Sequence, residues 1–408
     1  MGGVNPARPM IMHIDLNSCF ATIEQQSRPM LRGKPVAIVN RRHQNSTIVT
    51  ASYEAKARGV KVGMRGATAR LLCPTLIFIE SDPPKYRYVY RRLLAILADY
   101  SPKVQMKSID EGLIDFSQSP LELQQKELSD IGREIKHRLR TEIGEHMMCN
   151  IGIGTNRFLA KTAAGLDKPD GLTEINHQNL RQIYTRLTLE DLTGIAKGYG
   201  TRLRQVGITT PLGLLDADEL TLEKIVFRGK PGRDWYRRLR GWEVDAVDHQ
   251  LKSVGRQFVL DEQGLNHADI LRRFHGLGND VVAKLRAQGV KAHSVRVYVQ
   301  THHVGRWQNF THRARAFDDE ATLFSVVKQL FQSAPLPAQE IGVTCYGLVP
   351  REHEPVDLFG EAEQIARLTE AIDEINIFWG DRTVRSADTL GLDGHMKRKV
   401  PFGSTRFL

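Results

Sequence analysis

The chain has 408 residues, 41% of them hydrophobic, with 57 Lys and Arg against 47 Asp and Glu and a formal net charge of +10. That length exceeds one ordinary core and calls for two to four domains, and no apolar run of about 18 residues offers a membrane-spanning helix. The basic excess favours a polyanionic partner, nucleic acid or an anionic membrane surface.

In chain order, "PMIMHID" (Pro9 to Asp15) reads as a buried strand ending in an acid. "LNSCFATIEQQ" follows as a helix, with Asn17 or Ser18 as N-cap and Phe20 and Ile23 on one face. "GKPVAIVN" is a strand, and "STIVTASYEAKARGV" runs from strand into a helix ending before Gly59. "ATARLLC" is a helix stopped at Pro74, "LIFIE" a strand and "PPKYRYVYRRLLAILADY" a long amphipathic helix. "KVQMKSI" and "GLIDF" form a hairpin around Asp110 and Glu111. "LSDIGREIKHRLRTEIG" is helix, "MMCNIGIG" strand and "NRFLAKTAAGLDKP" a helix ended by Pro169. Together these make an α+β domain of mixed order. Leu180 to Arg240 reads as all helix, and Trp242 to Lys252 as a linker. A second small α+β domain follows, with strands "SVGRQFVL", "SVRVYVQ", "WQNFTHRARAF" and "EIGVTCYGLV" and two helices between them. The tail from Arg351 is expected to be only partly ordered. The N-terminus lacks a secretory h-region, and Pro6 spoils a myristoylation start. Cys19, Cys73, Cys149 and Cys345 are scattered with no CxxC pair, which fits a reduced cytoplasm without a zinc site.

Charge is uneven. Gln250 to Ala316 holds eleven Lys and Arg against four Asp and Glu, and Val226 to Gly241 holds six against one. Six of the fourteen histidines fall between His267 and His312, where solvated or phosphate-contacting roles outweigh a metal site at His302-His303.

Two adjacent carboxylates in the apolar run "KSIDEGLIDF" repel one another and are costly to desolvate without a cation. With Asp15 they supply three hard oxygen ligands suited to Mg²⁺ and a bound triphosphate, where two ions would clamp an in-line phosphoryl transfer. The other reading is a surface Asp-Glu turn paired with Lys107. Thr50, Tyr53 and Lys56 follow at i, i+3 and i+6 and together suit a polyphosphate clamp, to which Lys161 could add a second point charge; taken singly, each reads as an ordinary surface residue. "LTGIAKGYGTRLRQVGI" (Leu192 to Ile208) reads as a helix-hairpin-helix, whose Gly194-Ile195 turn lets helix N-terminal amides approach a DNA phosphate. "GIG" in "NIGIGTNRF" lacks the third glycine of a dinucleotide fold.

Residues 9 to 350 resemble, in order, a Y-family translesion DNA polymerase of the DinB or DNA polymerase IV type. The resemblance rests on "HIDLNSCFATIE", "GKPVAIV", "TASYEAKARGVKVGM", "LLCP", the helix from Tyr86, "SIDEGLIDF", "NIGIGTNRFLAKTAAGLDKPDGL", the helix-hairpin-helix and "KSVGRQF". It implies an α+β right-hand polymerase: palm at 8–16 and 82–170, small fingers at 17–81, all-helical thumb at 171–241, linker at 242–252, little finger at 253–350 and tail at 351–408. By position, Asp15, Asp110 and Glu111 match the metal-binding catalytic acids, with the Leu16 carbonyl as a further ligand for two Mg²⁺ ions that Mn²⁺ can replace. Ser18 and Cys19 match the turn whose amides meet the triphosphate. Thr50, Tyr53, Lys56 and Lys161 match its phosphate-contacting side chains, and Phe20 the steric gate under the sugar. Gly194, Ile195, Lys197 and Arg256 match DNA-contacting positions. "HEPVDLFGEAEQ" resembles the bacterial sliding-clamp motif through Val356, Leu358 and Phe359, with Pro355 in place of the usual Gln; the alternative is that Leu358 and Phe359 pack on the little finger.

Four residues depart from the family pattern: Asn17 for a frequent Asp, Cys19 for an aromatic, Gly112 for Ala or Ser and Lys56 for Arg. Lys56 keeps the charge but loses the bidentate fork, and Gly112 predicts a looser hairpin. The expected function is template-directed, low-fidelity addition of dNTPs to a primer on damaged templates. Primer-template DNA, dNTP and a sliding clamp are its expected partners, and a cytoplasmic, nucleoid-associated monomer off the membrane its expected state. The alternative is a non-catalytic polymerase-like protein that binds DNA and recruits others; it would lack the acid trio, which this chain keeps.

Overall fold

The computed structural model describes residues 3–41, 46–246, 251–260, 264–301, 303–353, 360–380 and 382–392. They fall into two compact units, one within Met1–Val247 and one within Asp248–Arg398.

The first unit opens with β1 (Ile11–Leu16), α1 (Cys19–Ser27), β2 (Val36–Val39), β3 (Ile48–Ala51), α2 (Tyr53–Lys56), α3 (Gly66–Leu72) and β4 (Ile77–Glu80). It continues with α4 (Pro83–Ala98), β5 (Val104–Met106), β6 (Glu111–Asp115), α5 (Leu121–Gln125), α6 (Leu128–Arg138), β7 (Cys149–Gly154), α7 (Arg157–Gly165) and β8 (Leu172–Ile175). Short helices α8 (Leu180–Thr185), α9 (Lys197–Gln205), α10 (Pro211–Asp216), α11 (Glu219–Thr221) and α12 (Lys230–Leu239) complete it.

Five strands form one sheet in the order β5-β6-β1-β7-β8, antiparallel except for the β7/β8 pair. β1 is its centre, and period-2 alternation divides its side chains between two faces. Met12, Ile14 and Leu16 join the main core with Tyr86, Val89, Leu93 and Ile96 of α4 and Ile131 and Ile135 of α6. Ile11 turns the other way, toward Leu113 and Ala160 of α7. His13 and Asp15 therefore point to the α7 face as well. A second sheet, β3-β2-β4, carries α2 and α3 over a core of Val39, Ile48, Ala55, Ala69 and Leu76. The helices α8, α9, α10 and α12 share a third core with Phe158 and Leu159 of α7, in which Trp235 meets Phe158 edge-on and stacks on Phe227.

The short helix α5 and the strand β8 are not apparent in the sequence. β8 lies in the stretch expected as thumb, yet it pairs in parallel with β7 at Ile151↔Leu172 and extends the five-stranded sheet. Its half-buried "LTEI" is too short to show a period.

The second unit is a four-stranded antiparallel sheet, β11-β10-β12-β9, built from β9 (Ser253–Val259), β10 (Val290–Thr301), β11 (Gly305–Phe317) and β12 (Glu340–Pro350). Helices α13 (His267–Ala287) and α14 (Glu320–Phe331) pack against it. The described part of the tail is folded. Helix α15 (Glu361–Trp379) is tied to α13 by Arg286, whose Nε and Nη2 lie 2.6 and 2.8 Å from the two Asp373 oxygens. Arg272 donates to the carbonyls of Asp388 and Leu390 at 2.9 and 2.8 Å. Val356, Leu358 and Phe359 of the clamp-like motif lie outside the described residues.

The "GIG" turn has a packing explanation. A Cβ on Gly152 would stand 2.0 Å from the Ala160 carbonyl oxygen and 2.1 Å from the Ala164 nitrogen. Both are backbone atoms, so α7 lies directly on β7 and only glycine permits it. Gly152→Ala should therefore push α7 off the sheet and destabilise the unit by roughly 1–3 kcal/mol or more, measured by urea unfolding. An unchanged midpoint would contradict this close packing.

Candidate active site

The site starts from register. Asp15 is paired with Glu111 across β1 and β6, and the Leu16 amide donates to the Asp110 carbonyl at 2.9 Å. Adjacency in "DE" and antiparallel pairing thus bring the three acids to one end of the sheet. Each is held by a different neighbour. Lys168 Nζ lies 2.5 Å from Asp15 Oδ2, Lys161 Nζ lies 2.7 Å from Glu111 Oε2, and the Ser108 hydroxyl bonds the Asp110 carboxylate.

The electrostatics follow. Burial pushes the Asp15 carboxyl up, against the opposing pull of Lys168. Burial also raises Asp110, and repulsion from Asp15 and Glu111 adds to that. Burial pushes Glu111 the same way, but the Lys161 hydrogen bond and charge outweigh it and hold Glu111 below its ordinary range. His13, buried beside Glu111, is pushed down to about 4, chiefly by desolvation.

Sequence reasoning passed over Lys168, because nothing in "LDKP" distinguishes it from a surface lysine. Its position comes from Asn17. The Asn17 Oδ1 accepts the Asp170 amide at 2.7 Å and its Nδ2 donates to Asn150 Oδ1 at 3.0 Å. Asn150 in turn donates to the Leu166 carbonyl at 2.6 Å and accepts the Gly171 amide at 3.1 Å. Two buried amides thus fix the loop that carries Lys168.

The expected triphosphate residues divide into groups. Lys56 Nζ lies 2.8 Å from the Ser18 hydroxyl and 4.7 Å from the Tyr53 ring centroid. Lys56 is pushed down by burial and by Lys168, and Tyr53 is pushed up by burial and by Asp15, so this group borders the acids. Thr50 belongs to β3 rather than to the helix start, and the N-cap of α2 is Ser52, which accepts from the Ala55 amide. Lys161 is seated on Glu111 instead of with this group. Ser18 takes the N-cap position of α1 in the left-handed region (φ 46°), without a side-chain cap bond. Ser18 therefore places no side-chain cap over the first-turn amides of α1. Cys19 is fully buried and its thiol is pushed up, so only its backbone is on offer. Phe20 is 3% exposed and stacks on Tyr86 at 4.3 Å and 8°, while the Tyr86 phenol donates to Glu24 at 3.1 Å. At Gly112 a Cβ would meet Leu97 Cδ1 at 2.9 Å and Met106 Sδ at 3.0 Å, so the glycine lets these two side chains pack close to the hairpin.

Two of the positions expected to contact DNA are otherwise engaged. Ile195 is buried and its amide already donates to the Leu192 carbonyl at 2.9 Å. Arg256 is ion-paired with buried Asp280, to which Arg382 also binds at 3.2 Å. Gly194 takes φ +103°, and a Cβ there would stand 3.1 Å from Trp235. Lys197 starts α9 and is exposed.

Among the described residues no three His, Cys, Asp or Glu side chains are gathered into a ready-made metal cage. The donor chemistry still fits a divalent cation. The cluster consists of hard carboxylate oxygens that repel each other, and two ammonium groups already sit on them. Mg²⁺ commonly takes one or two carboxylates and completes its shell with substrate phosphates and water.

The impB/mucB/samB family model matches residues 14–165, and the model of that family's C-terminal domain matches residues 251–358. A DNA polymerase IV of Pelotomaculum thermopropionicum is 31% identical over 401 residues, covering 95% of this chain and 97% of its own. DNA polymerase IV 1 of Halalkalibacterium halodurans is 30% identical over 396 residues, covering 94% of each chain. Among solved structures, a Y-family DNA polymerase chimera of Dbh and Dpo4 is similar in fold, with a TM-score of 0.70 and 22% identity over 83% of this chain and 99% of that one.

The acids make opposite predictions for stability. Folding raises Asp110, so it disfavours that ionised group; this penalty is present at neutral pH, fades as pH falls through the folded pKa and is gone below the unfolded pKa. Folding depresses Glu111, so its charge stabilises the fold above its unfolded pKa, and that benefit is lost as pH falls through the folded pKa. At pH 7 in EDTA, Asp110→Asn should raise the melting temperature by roughly 1–3 °C and Glu111→Gln should lower it by a similar amount. Shifts of the same sign would contradict these environments.

Proposed function

Because the chain belongs to the impB/mucB/samB family and is a DinB-like Y-family DNA polymerase, a DNA-directed enzyme of translesion synthesis, we propose that Asp15, Asp110 and Glu111 are its catalytic, metal-binding acids. The Asp15↔Glu111 register beside the amides of α1 is the observation that carries this reading. Y-family polymerases are nucleotidyltransferases that generally use divalent metals. Two Mg²⁺ ions on these acids and the Leu16 carbonyl, or Mn²⁺ in their place, would ease deprotonation of the primer 3′-hydroxyl and neutralise charge on the transferring phosphate.

The chain's own groups do the rest. The first-turn amides of α1, with Ser18 and Cys19, meet the triphosphate. Lys56 and Tyr53 contact its oxygens, and Thr50 lines the approach. Lys168 exchanges Asp15 for phosphate as the nucleotide enters, and Lys161 keeps Glu111 ionised. Phe20, backed by Tyr86, excludes a ribose 2′-hydroxyl by sterics. Catalysis is then mainly positioning and electrostatic stabilisation.

Primer-template DNA and dNTP are the partners of this reading. Similarity in fold to Dbh DNA polymerase in its insertion ternary complex supports it. Gly194 and Lys197 offer a sequence-blind phosphate contact at the start of α9. The motif at Val356, Leu358 and Phe359 would tether a monomeric enzyme to a sliding clamp and raise its effective concentration at the primer. Work on chromosomal DNA would make it a cytoplasmic, nucleoid-associated protein. Among the described residues no helix is long and apolar enough to cross a membrane.

Asp110→Asn combined with Glu111→Gln should abolish primer extension with Mg²⁺ and dNTPs while leaving DNA affinity within about twofold at fixed salt, since the phosphate contacts lie elsewhere. Retained extension would sink the assignment. Phe20→Val should raise the rNTP/dNTP ratio of kcat/KM by at least roughly tenfold, as the loss of about 1.4 kcal/mol of steric discrimination requires. A constant ratio would show that Phe20 acts only in the core.

A further inference from the structure

His13 has no task in the reading above, yet it sits at its centre. It lies two residues before Asp15 on β1 and faces the same side of the sheet, diagonal to Glu111 across the ladder. It is 2% exposed, and its Nε2 is buried with no hydrogen-bond partner. That nitrogen stands 3.9 Å from Glu111 Oε2, the same oxygen that receives Lys161 at 2.7 Å. A buried polar atom left unpaired is a cost that an apolar residue in the middle of β1 would avoid. The nearby acceptor is a carboxylate, and the gap is one that a small rotation of Glu111, or one bridging water, closes.

We propose that His13 is a positioning residue for Glu111. Its Nε2–H, in the neutral tautomer, donates to the carboxylate from inside the sheet while Lys161 holds it from α7. Glu111 is then fixed from two directions and its second oxygen stays free toward the reaction. The proposal rests on the reading of Glu111 as a metal-binding acid. Partners behind a metal-ligating carboxylate set its orientation, and their loss typically weakens metal binding or activity about 10–100-fold.

The test uses the full chain bound to a dideoxy-terminated primer-template and the matching dNTP, so that no turnover occurs. Mn²⁺ is titrated and its binding followed by electron paramagnetic resonance. His13→Phe should weaken Mn²⁺ binding about tenfold, with DNA affinity unchanged. His13→Gln, which keeps an N–H donor, should recover most of the loss. Undiminished binding in His13→Phe, or a His13→Gln variant as weak as His13→Phe, overturns the proposal. Glu111→Gln run alongside separates the two readings. If it too leaves Mn²⁺ binding intact, the metal assignment of Glu111 fails; if it weakens binding while His13→Phe does not, only the role of His13 fails. Should His13→Phe not fold, ¹⁵N spectra of the unaltered chain decide. A protonated Nε2 whose shift moves on Glu111→Gln supports the hydrogen bond, and an unprotonated Nε2 overturns it.

Discussion

The antiparallel pairing of β1 with β6 is the constraint on which the rest of the unit depends. It sets Asp15 opposite Glu111 and brings Asp110 to the same end of the sheet. A slip of one residue would turn Asp15 into the core and Ile14 toward α7. The pairing is protected because Met12, Ile14 and Leu16 are buried on one face while Ile11 packs with Leu113 and Ala160 on the other. The cost of gathering three partly desolvated carboxylates is offset locally, by Lys168, Lys161 and Ser108, and structurally, by a strand buried on both faces.

That arrangement places cations beside two of the acids without a closed metal cage. Two lysines occupy the places where cationic charge is wanted, one from α7 and one from the loop after it. The first depends on Gly152, which lets α7 lie on β7; the second depends on the Asn17–Asn150 amide pair. Asn17 thus gives the departure from Asp a physical sense. An amide both donates and accepts, and here it does both, which an ionised carboxylate cannot do.

Much of this was legible in the sequence for identifiable reasons. The central strand, the α4 stripe and the hairpin around Asp110 and Glu111 follow from apolar periodicity broken by unexplained acids. The Tyr53–Lys56 turn follows from helical spacing. Other parts were hidden, one by long-range approach and two by local detail. Lys168 is an ordinary lysine until a loop is folded under Asp15, β8 is too short to show a period, and Ile195 spends its amide on its own turn. Phe20 reads as a gate from position and as a core ring from burial. The two agree only if the sugar meets a part of the ring that the stack on Tyr86 leaves open.

Charge counting needs the most correction. The local excess of eleven cations over four acids between Gln250 and Ala316 treats each guanidinium as available to phosphate. The structure commits several of them. Arg256 is ion-paired with Asp280, Arg286 with Asp373, and Arg306 stacks 4.2 Å over the Tyr298 ring. Asp373 lies beyond the counted stretch, on α15, so part of the apparent charge is neutralised by the tail. Arg313 is exposed on β11, an edge strand. An edge strand offers backbone amides as well as cations, and both contact phosphates without reading bases. The second unit is therefore better described as carrying an exposed charged edge, with several of its other cations held in ion pairs, than as a uniformly basic surface.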